Sequence, residues 1–79
     1  MKLTRTSTPQ ERIKILVNTL GISQKELAML CRIRQASISN YVQGKCEPEG
    51  KTIMKIAETV GVSPAWIMGY GPTEPMERM

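Results

Sequence analysis

Seventy-nine residues with an ordinary apolar share make one small domain, close to the lower limit at which a hydrophobic core alone supports a fold. The chain has no His, no Asp and no Phe, which leaves few groups for acid–base catalysis or metal ligation and requires an aliphatic core. Its net charge of +4 is uneven: residues 1–45 carry eight cations against two glutamates, residues 46–79 three against five, so one half suits a polyanion.

Five helical segments follow in chain order, marked by start and stop signals. Thr8-Pro9-Gln10-Glu11 combines a cap residue, a first-turn proline and a glutamate three positions after the cap. Ile13, Leu16, Val17 and Leu20 then recur at helical spacing until Gly21, which predicts a first helix over 9–20. Ser23-Gln24-Lys25-Glu26 is a second capping box, opening a helix whose expected inner face is Leu27, Ala28, Leu30 and Cys31. A third helix starts near Arg34 or Gln35, turns Ile38, Tyr41 and Val42 inward, and stops at Gly44. Pro48-Glu49-Gly50 opens a fourth, with Ile53, Ile56, Ala57 and Val60 on one face and Gly61 at its end. Ser63-Pro64 caps a fifth, over 64–68. No strand alternation survives this reading, so the fold class is all-α. The domain is expected over 8–70, between an arm at 1–7 containing Lys2 and Arg5 and a tail at 71–79 with two prolines.

Cys31 and Cys46 lie fifteen positions apart with no His to complete a ligand set, which argues against zinc. No apolar run resembles a signal peptide or approaches the roughly 18 residues of a membrane span. The expected compartment is therefore a cytosol that keeps thiols reduced. Cys31 reads as a small buried hydrophobe and Cys46 as a loop thiol. No cofactor and no metal are expected. Without histidine, aspartate or a phosphate-cradling glycine loop, enzymatic activity is not expected either.

The chemistry concentrates between residues 23 and 48. About three residues separate the second and third helices, which forces a tight corner where the small Ala28 lets them approach. Leu27, Cys31, Ile33, Ile38 and Tyr41 or Val42 fill the angle, leaving Gln35, Ala36, Ser37 and Asn40 outside with Ser39 to one side. A plain solvated face is the alternative, but such faces are usually built from Glu and Lys.

"SQKELAMLCRIRQASISNYVQGKCEP" resembles the helix-turn-helix of the lambda-repressor-like (Cro/CI, Xre-type) family, with Ser23, Gln24, Leu27, Ala28, Ile33, Ile38, Ser39, Tyr41, Gly44 and Pro48 on its pattern. "IMKIAETVGVSPAWIMG" is similar to its fourth and fifth helices, so the resemblance covers about residues 9 to 70. It implies a compact five-helix domain whose third helix lies in the major groove of double-stranded DNA. Gln35, Ala36, Ser37 and Asn40 are then the expected base contacts, and Gln24, Arg34, Ser39, Gln43 and Lys45 the backbone contacts.

The resemblance further implies a transcriptional repressor of phage or prophage type that binds a palindromic operator in the bacterial cytoplasm, at the nucleoid. Homodimerisation is expected, at least on DNA, with Trp66 in the core and Ile67, Met68 and Tyr70 partly exposed as a dimer patch. A different class of reading uses the fifth helix to bind a partner protein, as an interaction module or an antitoxin-type regulator. The segment after Gly71 resembles a linker to a C-terminal oligomerisation domain. Both a short Cro-like protein and the DNA-binding half of a longer repressor fit. Three positions depart from the pattern: Arg32 stands where glycine is usual, Arg34 where a serine cap is usual, and Glu47 where a cation is common.

Overall fold

The computed structural model describes residues 6–71; the expectations for Lys2, Arg5 and the segment from 72 onward lie outside the described residues. Five helices follow one another: α1 (Pro9–Leu20), α2 (Gln24–Cys31), α3 (Gln35–Gln43), α4 (Gly50–Val60) and α5 (Pro64–Ile67). There is no β-strand among the described residues. The boundaries follow the caps. Thr8 Oγ1 accepts from the Glu11 amide at 3.3 Å. At α2 the box is reciprocal, with Glu26 N donating to Ser23 Oγ at 3.0 Å and Ser23 N to Glu26 Oε1 at 3.2 Å. Ser63 Oγ accepts from Ala65 N at 3.2 Å. Such caps satisfy amides that a helix cannot pair internally, each contributing about 1 kcal/mol.

The core gathers Ile13 and Leu16 of α1, Leu27, Ala28 and Cys31 of α2, and Ile38 and Tyr41 of α3. Ile53, Ile56 and Ala57 of α4, then Val62, Trp66 and Ile67, complete it. α3 packs on both α1 and α2, while α4 joins α2 to α5 and α5 returns to α1. α3 is thus held from two sides.

Three side chains depart from the expected burial. Leu30 is 58% exposed, because α2 presents Leu27, Ala28 and Cys31 to the core and position 30 lies roughly 100° around the helix from that stripe. Leu20 is 44% exposed, being the last residue of α1 before the chain turns away at Gly21. Ile67 is fully buried rather than partly exposed, since α5 wedges between α1 and α4 and so covers two consecutive residues, Trp66 and Ile67.

Arg12, counted among the cations by the sequence, is also wholly inside. Its guanidinium stacks 4.9 Å from the Trp66 ring centroid. Nη2 donates to Thr6 Oγ1 and Gly71 O, both at 2.8 Å, and to Gly69 O at 3.4 Å. Around this cation the two ends of the domain are clipped together: the amides of Thr6 and Ser7 donate to Gly69 O, and Thr6 Oγ1 donates to Gly71 O at 2.7 Å. A side chain at Gly69, where φ is +106, would collide with the Ser7 carbonyl. Residues 6 and 7, assigned to the arm by the sequence, are therefore part of the packed body.

Both cysteines are free thiols, Cys31 buried and Cys46 exposed. Burial pushes the Cys31 thiol up from its ordinary value, with a hydrogen bond to Thr59 opposing. Thiolate is the reacting form, so native protein mixed with an aromatic disulfide reagent should titrate one thiol promptly and the second only on unfolding. Prompt reaction of both would show that the core opens readily at the α2 end.

Candidate nucleic-acid interface

The corner between α2 and α3 is built by the main chain. Ile33 N donates to Ala28 O at 2.9 Å and Arg32 N to Met29 O at 3.2 Å, with Arg32 left-handed at φ 57 and ψ 46. That is a Schellman-type helix end, in which a residue at positive φ lets the chain leave sharply. The half-buried Ile33 then packs on the core. Arg34 caps α3 in extended conformation without a side-chain hydrogen bond to the helix. The sequence anticipated both departures, and a non-glycine left-handed residue costs on the order of 1 kcal/mol.

With Ile38 and Tyr41 anchored inside, helical periodicity fixes what the rest of α3 presents. Ala36, Ser39, Asn40 and Gln43 form an i, i+3, i+4, i+7 stripe on the opposite side, flanked by Gln35 and Ser37. Gln35, Ala36 and Gln43 are exposed, while Ser37, Ser39 and Asn40 are half-buried. Gln43 Nε2 donates to Ser39 Oγ at 2.9 Å, so these two side chains are already ordered relative to each other. Ser39 therefore lies on the same stripe as Asn40 rather than to one side.

Gln24, the first residue of α2, is half-buried at an open groove of about 270 Å³ that it lines with Lys14, Val17, Asn18 and Val42. Lys14 and Asn18 belong to α1 and were not singled out by the sequence. Their signal was weak, being two polar positions four apart on a helix otherwise read for its core. Lys45 is exposed just beyond the α3 end, where its amide donates to Asn40 O at 2.9 Å. From residue 27 to 46 the charged side chains are Arg32, Arg34 and Lys45, with no carboxylate among them. Just beyond α5, Met68 is 39% exposed and Tyr70 half-buried, so these two alone of the expected dimer patch reach the surface.

Among the described residues no group of His, Cys, Asp or Glu could hold a metal ion, and no helix is long and apolar enough to cross a membrane. The surface offers donors, acceptors, a methyl group and cations, which is the chemistry of recognition.

Comparisons with known proteins agree with this geometry. A helix-turn-helix family model matches residues 13–67. The HTH-type transcriptional regulator DicA of Escherichia coli is 32% identical over 95% of this chain and 58% of its own length, so the chain spans little more than half of that relative. The solution structure of the DNA-binding domain of the P22 C2 repressor superposes with a TM-score of 0.73 at 23% identity, covering 84% of this chain and 87% of that one. That likeness confirms the five-helix fold, and the family match with the DicA similarity shows the rest: the chain belongs to the lambda-repressor-like (Cro/CI, Xre-type) helix-turn-helix family.

Proposed function

We propose that this protein is a sequence-specific double-stranded DNA-binding transcriptional regulator, a repressor of phage or prophage type that occupies a palindromic operator. The observation that carries the reading is the outer stripe of α3. It pairs short hydrogen-bonding side chains with cations at both helix ends and has no acid between them. A helix fits the major groove, where each base pair shows a distinct pattern of donors, acceptors and methyl groups. Gln35 and Asn40 supply paired donor–acceptor amides suited to adenine, Ser37 serves several base edges, and the Ala36 methyl meets thymine.

Backbone contacts fix the register. Lys45 and the linked Ser39–Gln43 pair lie toward the C-terminal end of α3, and Arg34 lies at its start. Gln24 supplies another contact from the groove it shares with Lys14, where a phosphate would meet one ammonium and two amides. No step of chemistry is needed: occupancy of the operator excludes polymerase.

One α3 reads only a few base pairs. Two copies with their reading helices about 34 Å apart sum their binding energies on a palindrome. Met68 and Tyr70 supply surface for contact between the copies, and Ile67 supports them from within the core.

A selection from random duplex DNA tests the reading. The expected result is enrichment of an inverted repeat, bound with an affinity that falls steeply as salt rises. Absence of any salt-sensitive duplex binding would overturn it, and enrichment of a single unrepeated half-site would remove the dimer.

A further inference from the structure

We propose that Arg32 is a DNA-backbone contact, and that the corner keeps a left-handed arginine there for that purpose; the inference rests on the DNA-binding reading above. Four of the described helices end on a residue in the left-handed region: Gly21, Arg32, Gly44 and Gly61. Three of the four are glycine, which adopts that conformation without a steric penalty. Arg32 is the exception, and it is the one non-glycine residue with positive φ among the described residues.

Nothing in the fold asks for its side chain. Main-chain groups make the hydrogen bonds that close the corner. The Arg32 side chain is exposed and makes no hydrogen bond or ion pair with any described residue. A strained conformation held by a side chain without a structural task points to a partner outside the chain.

Charge and position say what that partner is. The major groove is about 12 Å wide, which admits the diameter of a helix such as α3 between its two phosphate ridges. Arg32 and Arg34 stand before one end of α3, and Lys45 follows the other. Seated in the groove, α3 therefore carries cations just beyond both of its ends, where phosphates line the groove. A planar guanidinium with several N–H donors matches phosphate oxygens in pairs. Arg32 is a positioning contact that carries no sequence information of its own.

Arg32→Gly separates this role from a structural one. The variant relieves the backbone strain, so its denaturation midpoint should rise above that of the wild type. Its affinity for the selected operator, and for an unrelated duplex, should fall by about tenfold at moderate salt. The slope of log affinity against log salt should shrink by about one, as expected for one lost phosphate contact. Arg32→Lys keeps the charge and should retain most of the affinity and the slope. An Arg32→Gly protein that binds as the wild type does would overturn the inference while leaving the function intact. So would a loss of affinity with an unchanged salt slope, which would betray a displaced α3 instead. A wild-type protein that binds no duplex at all would overturn the function, and this contact with it.

Discussion

Replacing Arg12 with methionine is expected to lower stability by about 3 kcal/mol. In the structure Arg12 lies on the inner stripe of α1, with Pro9, Ile13 and Leu16 buried at helical spacing around it. Burial lowers its pKa from the ordinary value, while the adjacent Glu11 carboxylate opposes that shift. An arginine keeps its proton in proteins nonetheless, so a full charge sits in the interior. Among the described residues its charge is met by oxygen dipoles and a ring face: Thr6 Oγ1, the carbonyls of Gly69, Tyr70 and Gly71, and Trp66.

Methionine fills similar space but donates no hydrogen bond. Replacing both sides of a buried polar pair by apolar groups can be neutral, whereas removing one side leaves the other desolvated and unmatched. The carbonyls at 69 to 71 would each lose a charged donor, an effect softened because Gly69 O keeps the amides of Thr6 and Ser7, Gly71 O keeps Thr6 Oγ1, and Tyr70 is half-buried and Gly71 exposed. For a domain of this size, with roughly 4–12 kcal/mol in total, the loss is a large fraction of stability. Urea unfolding followed by Trp66 fluorescence reads it directly. Arg12→Lys should fall between the two, because the charge persists but the fork that reaches several oxygens does not. A methionine variant within 1 kcal/mol of the wild type would mean that water replaces the guanidinium, and that the clip joining residues 6–7 to 69–71 is not what holds the domain ends.

Arg12 also marks where sequence reading stops. Helix limits were legible because their signals are local: Thr8 before Pro9, the Ser23–Glu26 box and Ser63 before Pro64 each act within one turn. Faces were legible where burial follows a single stripe at helical spacing, as with Ile38 and Tyr41 of α3, which α1 and α2 cover together. They failed where burial departs from that stripe. Ile67 is buried because α5 meets two helices at once, and Leu30 is exposed because α2 needs only its Leu27–Ala28–Cys31 side. The oxygens around Arg12 come mostly from main-chain carbonyls near residue 70, and carbonyls have no signature in a sequence. Within the candidate interface, the α3 stripe was legible from its anchored inner face. Lys14 and Asn18 were not, since their nearness to Gln24 is set by how α1 crosses the α2–α3 unit.

The second large effect should be on discrimination rather than stability. Gln35→Ala combined with Asn40→Ala is expected to reduce the preference for the selected operator over unrelated duplex by about 100- to 1,000-fold, with the unfolding midpoint little changed. Each amide that pairs bidentately with a base contributes roughly 1–3 kcal/mol of discrimination. Gln35 is exposed and Asn40 half-buried, and neither donates or accepts a side-chain hydrogen bond among the described residues, so the fold loses little when they are cut. Lys45→Ala is the counterpart. On the proposed reading Lys45 meets a phosphate whatever the sequence, so its loss should weaken operator and unrelated duplex alike and shrink the salt slope by about one. Binding isotherms on both duplexes across a salt series separate the two behaviours. If the double variant and Lys45→Ala weakened both duplexes to the same degree, the outer stripe of α3 would be a backbone-contacting surface like its flanks. Base readout would then have to be sought at another element.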